Sequence, residues 1–330
     1  MIGGEMSRNA MLVGLLMVVG AGVVVQAAES PAASRPSRTV AITIDDVPLG
    51  GGRWSGNGPE TLARINEGIL EALVDRRAPA IGFVTESRVH VRGEIDARMK
   101  ILQSWSDAGM ELGNHGYSHL SFQTTPLRAF QDDVIHGEVA TSAVMERRPV
   151  FFRFPFNHTG PTAEAKASMR SFLAARGYEV APFTVEHADY VFNAIYSTAR
   201  QAGDEEAMRR ILDAYLQQLD TAFAYAEELS GDLFGREIPQ VFLIHANEIN
   251  ASAMGGMLDR IEQRGYSFVT LEQALKDDAY RASDEYVGRW GISWFHRWTI
   301  SRNLPMRRDE PDPPREILDA YRALTENAGD

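Results

Sequence analysis

His115 and His119 stand four residues apart in Gly113-Asn-His-Gly-Tyr-Ser-His119. Four residues are about one helical turn, a spacing that lets both imidazoles face one side and grip one metal ion. Two imidazoles want a third protein ligand, commonly a carboxylate, with a position left for water. The run Thr39-Val-Ala-Ile-Thr-Ile-Asp-Asp46 ends in two adjacent carboxylates. Asp46 as the third ligand makes a His₂-carboxylate site of the kind hydrolytic zinc enzymes use. Asp45, pointing the other way off the strand end, would take a proton from water. His245, closing Val241-Phe-Leu-Ile-His245, would return one to a leaving amine. Arg153 would hold Asp45 ionised through a bidentate pairing. Each residue alone has a plainer explanation: an Asp pair caps a helix or turn, and a strand-end His is a hydrogen-bonded core residue. Their order, each after a strand, argues for a site.

The elements that must position these groups alternate along the chain. Val40–Ile44, Ala80–Val84, Met110–Leu112, Val150–Phe154, Tyr178–Phe183, Val241–His245 and Tyr266–Val269 read as strands, several of them short runs rich in β-branched residues. Helical patterns lie between them: from Pro59 with Leu62, Ile65, Ile69 and Leu73 on one stripe, then Ile95–Ala108, Pro126 to about Glu146, and Ala163–Ala175. The longest, Asp204–Leu229, looks like an insertion; Met257–Gln263 and a turn at Leu271–Lys276 follow. Sustained strand–helix alternation means parallel β/α units, in a barrel or an open sheet, and a barrel gathers strand-end residues on one face.

Composition narrows the chemistry. The formal charge of −12 argues against a nucleic-acid partner, which needs a basic face. There is no cysteine, so neither a thiolate nucleophile nor a cysteine metal site is available. Gly50–Gly58 lacks the Gly-Lys-Ser/Thr ending of a phosphate loop, so no nucleotide cofactor is expected; Trp54 within it is flat enough for a sugar ring to rest on. Residues 1–27, with Arg8 before an apolar Ala10–Val25, read as a signal peptide cleaved near Ala27, or as an uncleaved anchor; export to the periplasm or beyond is expected. A linker at 28–38 leads to a domain at 39–276 with a helical insertion at about 204–230. Residues 277–330 form an extension with three tryptophans in Trp290–Trp298, expected to pack back on the domain and bury them.

Taken together, these stretches resemble the polysaccharide deacetylase family, the NodB-homology domain of carbohydrate esterase family 4. Thr43-Ile-Asp-Asp46 matches its Thr-Phe-Asp-Asp motif and implies Asp45 as base and Asp46 as metal ligand. Gly113–His119 matches the histidine motif, with His115 and His119 as ligands; Arg153-Phe-Pro-Phe156 matches Arg-x-Pro-Phe/Tyr, with Arg153 orienting the base and the Phe156 N–H holding an oxyanion. Leu243-Ile-His245 matches Leu-x-His, with His245 as general acid. The family's Asp-Trp is here Asp189-Tyr190: Asp189 would raise the pKa of His245, and Tyr190 would alter one wall of the substrate groove. Asn157 stands where many members have Gly. The resemblance runs from about Val40 to Leu275. It implies a distorted (β/α) barrel of the NodB type with an inserted long helix and a C-terminal extension. The implied activity is a hydrolase removing N-acetyl groups from an acetylated amino-sugar polymer or oligosaccharide, with a divalent metal, Zn²⁺ first and Co²⁺ or another ion fitting the same ligands. An O-acetyl esterase and a non-catalytic glycan-binding envelope protein are the alternatives. Outside the motifs, His90, His136, His158, His187 and His296 read as bystanders, His158 and His187 at the surface.

Overall fold

Strand β1 (Arg38–Val47) is the one around which the sheet is built, buried from Val40 onward without alternation. Continuous burial is what a parallel strand covered on both faces requires. The structure, a computed structural model, describes residues 38–52, 56, 58–306 and 308–327. The leader at 1–27, nearly all of the linker and Trp54 lie outside the described residues. The described residues fall in one compact unit. β1 pairs in parallel with β2 (Ala80–Val84) and β6 (Gln240–His245), and its first residues pair with β7 (Tyr266–Phe268). Beyond β2 come β3 (Glu111–Asn114), β4 (Phe151–Phe152) and β5 (Glu179–Val180), giving the order β5-β4-β3-β2-β1-β6. The parallel sheet curls into a half-barrel with helices around it. Between β5 and β6 the only ladder contact among the described residues is a bridge from Val185 to Phe242.

The helices close the outside. α1 (Pro59–Asp75) turns Leu62, Ile65, Ile69 and Leu73 into the core, and α2 (Ile95–Asp107) does the same with Ile101, Leu102 and Trp105. The single helix expected from Pro126 to Glu146 is two, α3 (Leu127–His136) and α4 (Val139–Met145). The break falls at Gly137, where a Cβ would sit 2.4 Å from the Gly116 carbonyl carbon and 2.7 Å from the Tyr117 nitrogen. The histidine loop occupies that space, so tertiary packing overrides helical periodicity. α5 (Ala163–Ala175) follows β4. The strands expected at Val150–Phe154 and Tyr178–Phe183 shrink to two paired residues each, because the chain leaves the ladder to shape the cleft.

Two helices rather than one fill the interval before β6. α6 (Asp189–Ala202), which the sequence reading did not foresee, precedes α7 (Glu205–Phe234). The expected insertion at about 204–230 is therefore the middle of a larger helical segment. α8 (Glu248–Gln263) begins nine residues before the expected Met257, capped by Asn247, whose side chain accepts from the Asn250 N–H. α9 (Leu271–Leu275) ends the alternating part. The extension adds α10 (Trp294–Ser301) and α11 (Arg315–Asn327). Trp294 and Trp298 are buried, Trp298 completely, against Phe234, Tyr280 and Phe295. Trp290 departs from the expectation and stays exposed.

Candidate active site

A cleft of about 480 Å³ opens where β1, β3, β4 and β6 end, lined by Asp45, Asp46, His115, His119, Phe156 and His245 among others. Collecting strand carboxyl ends on one face is what a barrel-like parallel sheet does. Asp45 keeps its ladder position opposite His245, but the β1–β2 register shifts between Ile44 and Val47 and Asp46 takes a left-handed φ of 66°. Neighbouring strand residues normally face opposite ways. This irregularity turns Asp46 inward, so both carboxylates reach the cleft, and the expectation that Asp45 points away from its neighbour is corrected. His115 Nε2 lies 3.9 Å from Asp45 Oδ2 and 3.9 Å from Asp46 Oδ1.

The two histidines are not on a helical turn. They sit in a loop after β3, with Gly116 at φ 79° and His119 at φ 54°. Asn114 and Asp133, residues the sequence reading passed over, shape this loop. Asn114 Oδ1 accepts from the Gly116 N–H at 2.7 Å, and the Asp133 carboxylate accepts from the N–H groups of Tyr117 and Ser118 at 3.0 Å. The result places His119 Nε2 3.4 Å from Asp46 Oδ1, and the ligand atoms of Asp46, His115 and His119 all fall within 4.8 Å of one another.

Burial, working against the attraction of Asp46, brings each imidazole down to a pKa of about 4, which leaves both neutral at pH 7. Neutral nitrogens beside a carboxylate are a donor set that fits a borderline divalent ion. His115 Nδ1 lies 2.9 Å from the Arg153 carbonyl, which makes Nδ1 the donor and frees Nε2 for a metal. Asp46 Oδ1 also accepts from Thr85 Oγ1 at 3.0 Å and meets the Arg88 guanidinium at 2.9 Å. Neither Thr85 nor Arg88 stands in a recognisable pattern; only the fold brings them here.

Arg153 is fully buried, but its pairing with Asp45 is looser than the bidentate fork expected. One nitrogen, Nη1, lies 3.4 Å from each carboxylate oxygen, while Nη2 donates to Thr43 Oγ1 at 3.0 Å and the Pro182 carbonyl at 3.1 Å. The Phe83 ring supports it, 4.8 Å from the guanidinium carbon. Burial outweighs this cation and raises the pKa of Asp45.

His245 and Asp189 meet closely. Asp189 Oδ1 lies 2.8 Å from His245 Nδ1, while Oδ2 accepts from the His245 N–H, Asn247 Nδ2 and Asn250 Nδ2. Burial opposes a charged imidazole, yet Asp189, with Asp46 and Asp45, overcomes it and pushes His245 up to about 10. Burial likewise opposes ionised Asp189, and His245 with its hydrogen bonds brings that carboxyl down to about 2.

Around the cleft, Phe156 sets its ring edge-on to His119, 4.5 Å between centroids, and exposed Tyr190 meets Tyr321 of α11 at 6.2 Å. Glu186, also in the cleft wall and not singled out from sequence, is raised by burial and Glu310 to about 7. Of the histidines read as bystanders, His158 meets Ser121 Oγ at 2.8 Å. His187 is buried rather than at the surface, stacked on Tyr215 with ring centroids 4.4 Å apart.

Residues 32–170 match the family model described as polysaccharide deacetylase. Asp189 and His245 fall beyond that match. Among solved structures, a carbohydrate esterase family 4 pseudoenzyme from Bacillus anthracis shares 17% identity at a TM-score of 0.51, over 72% of this chain and 66% of that one. A mutant of that protein with restored enzymatic activity shares 18% at 0.50, over 72% and 68%. The chain thus spans about two thirds of their length. A family 4 carbohydrate esterase from Streptomyces lividans in complex with acetate shares 18% at 0.47, over 72% of this chain and 95% of that one. At these identities the two structures at TM-scores of 0.50 and 0.51 show a shared fold and nothing more. No curated protein sequence matches the chain. Over residues 32–170 the chain is thus similar to the polysaccharide deacetylase family, and the parallel sheet curls as in the fold of carbohydrate esterase family 4.

Proposed function

We propose that this protein is a metal-dependent hydrolase that removes N-acetyl groups from an acetylated amino-sugar polymer or oligosaccharide, acting outside the cytoplasm after export. The observation that carries the reading is the facing of two charge systems across one cleft. On one side are Asp46, His115 and His119 with Asp45 beside them; on the other is His245 held by Asp189. Asp46, His115 and His119 would hold a divalent ion, Zn²⁺ or Co²⁺, which supplies Lewis-acid polarisation of a carbonyl and acidifies water. Asp45, whose proton affinity burial raises, is suited to take the proton of the attacking water, with Arg153 limiting how far that carboxylate can turn. His245 carries its proton at neutral pH and can give it through Nε2 to the departing amine, since Nδ1 is committed to Asp189. The Phe156 N–H would donate to the oxygen that gains charge. Tyr190 and Phe156, both exposed at the mouth, offer faces for sugar rings.

Acetate release from a panel of N- and O-acetylated glycans tests this reading, with purified protein as isolated, after chelation, and after Zn²⁺ or Co²⁺ is returned. Metal-dependent release from N-acetylated members is the expected result. Release from O-acetylated members alone would replace the amide with an ester, and metal binding without acetate release from any member would mean a binding protein.

A further inference from the structure

The turn that follows Arg153 is strained. Phe156 (φ 56°) and Asn157 (φ 53°) are consecutive non-glycine residues in the left-handed region. Such a pair persists only where its surroundings over-determine it. Those surroundings come from the extension, over a hundred residues later in the chain. Arg297, on α10 and fully buried, donates from Nη2 to the Asn157 carbonyl at 2.6 Å and from Nη1 to Thr159 Oγ1 at 3.1 Å. Its Nε donates to the Ile292 carbonyl at 3.0 Å, its Nη1 lies 3.5 Å from Asp284 Oδ2, and its guanidinium lies 4.2 Å from the Trp294 ring centroid. A planar fork serving three acceptors at once is a task for arginine and not for lysine, whose donors leave one point. Beside it, Gly291 lies so close that a Cβ there would stand 2.0 Å from the Phe156 carbonyl oxygen. Gly291 also lines the cleft.

We propose that the extension is part of the active site: Arg297 and Gly291 are positioning residues that hold the Phe156–Asn157 turn, and with it the Phe156 N–H, at the cleft. The inference rests on the proposed function in taking that N–H as the oxyanion donor. Among the described residues neither Arg297 nor Gly291 has a hydrogen bond or ion pair to Asp46, His115 or His119; the turn they hold meets that set through the Phe156 ring, 4.5 Å from that of His119 between centroids.

The test uses the full chain with Gly291→Ala and Arg297→Lys. Gly291→Ala leaves every charge in place, so it decides the matter if Arg297→Lys does not fold. Three quantities are read: Zn²⁺ affinity by competition with a chelating dye, hydrogen exchange of the peptide spanning 154–160, and kcat with KM for acetate release. Expected are faster exchange confined to 154–160, Zn²⁺ affinity within about threefold of wild type, and kcat lower by roughly 10–100-fold with KM nearly unchanged, the pattern of a lost oxyanion donor. A merely structural role would lower the melting temperature and leave kcat of the folded variant intact, and that result overturns the proposal. Unchanged exchange at 154–160 in folded variants overturns it as well. Should wild type release no acetate from any substrate, the functional reading fails by itself, and the exchange and Zn²⁺ arms still decide whether the extension holds the turn.

Discussion

Asp45 and Asp46 are sequence neighbours with opposite proton affinities, and the contrast lies in the cations that face them. Burial opposes ionisation of both. At Asp46 the Arg88 guanidinium at 2.9 Å, with His119 and His115, overcomes burial and holds the carboxyl far below its usual range. At Asp45 the Arg153 contact at 3.4 Å does not, and the pKa rises. The division suits one carboxylate for binding an ion and the other for moving a proton. Asp45→Asn is therefore expected to lower kcat by about 10²–10⁴-fold while the protein still titrates with one Zn²⁺. His119→Ala should lose the Zn²⁺ itself; equilibrium dialysis separates the two outcomes. The His245–Asp189 pair makes a prediction in pH. Because folding raises His245 to about 10 from the ordinary 6.5, the pair's stabilisation is complete below pH 6.5 and lost as pH rises through 10. The depressed Asp189 sets the other limit: its share is present above its ordinary 3.8 and lost as pH falls through about 2. The melting-temperature gap between wild type and Asp189→Asn should then be widest from about pH 4 to 6.5 and shrink toward pH 10. In turnover, Asp189→Asn should move the alkaline limb of the kcat profile to lower pH, since His245 would lose its proton sooner.

At the scale of elements, the histidine loop depends on the break between α3 and α4 as much as on its own residues. Gly137 provides the space in which Gly116 and Tyr117 lie, and Asp133 on α3 caps the N–H groups of Tyr117 and Ser118. Groups that orient first ligands commonly carry about 10–100-fold in metal affinity. Gly137→Ala is expected to weaken Zn²⁺ binding by that order without touching a ligand, and Asp133→Ala to do likewise. Unaltered affinity in both variants would show that the loop holds its shape without α3. Asn114 adds a second tie, since its Nδ2 donates to the Val134 carbonyl at 2.9 Å and lies 2.8 Å from the Tyr178 hydroxyl.

Across the whole molecule, the extension and the long α7 form one packed layer with the sheet. Trp298 of α10 meets Phe234 at the end of α7 with ring centroids 5.2 Å apart, and the Trp294 N–H donates to the Phe183 carbonyl at 2.9 Å. Lys166 of α5 reaches the Asp284 and Tyr286 carbonyls at 2.8 Å, tying the far side of the sheet to the same segment. Trp298→Ala should cost about 3–5 kcal/mol, the range for deleting a buried aromatic side chain, as read by urea unfolding. A chain ended after Lys276 is expected to unfold at markedly lower temperature, because it would expose Phe183 and Phe234 and leave Lys166 unpaired in an apolar site. A truncated chain with an unchanged melting temperature would make the extension an appendage.

Sequence alone determined the strand order of the chemistry. Parallel strands buried on both faces are written as continuous apolar runs, so the ends of β1 and β6, and with them Asp45, Asp46 and His245, could be read directly. The His115–His119 pair was also legible, but the reason it works was not: the spacing suggested a helical turn, and the real agent is a loop with two left-handed residues capped from α3. Arg88, Thr85, Asp133 and Glu186 left no signal, because a group that acts on the site from another element has no fixed offset from the motif it serves. The same holds for Arg297, 140 positions from Asn157. Local patterns record which residues lie at strand ends. The aim of each side chain follows from left-handed backbone, bulges and non-local hydrogen bonds, and these are settled only when the chain packs.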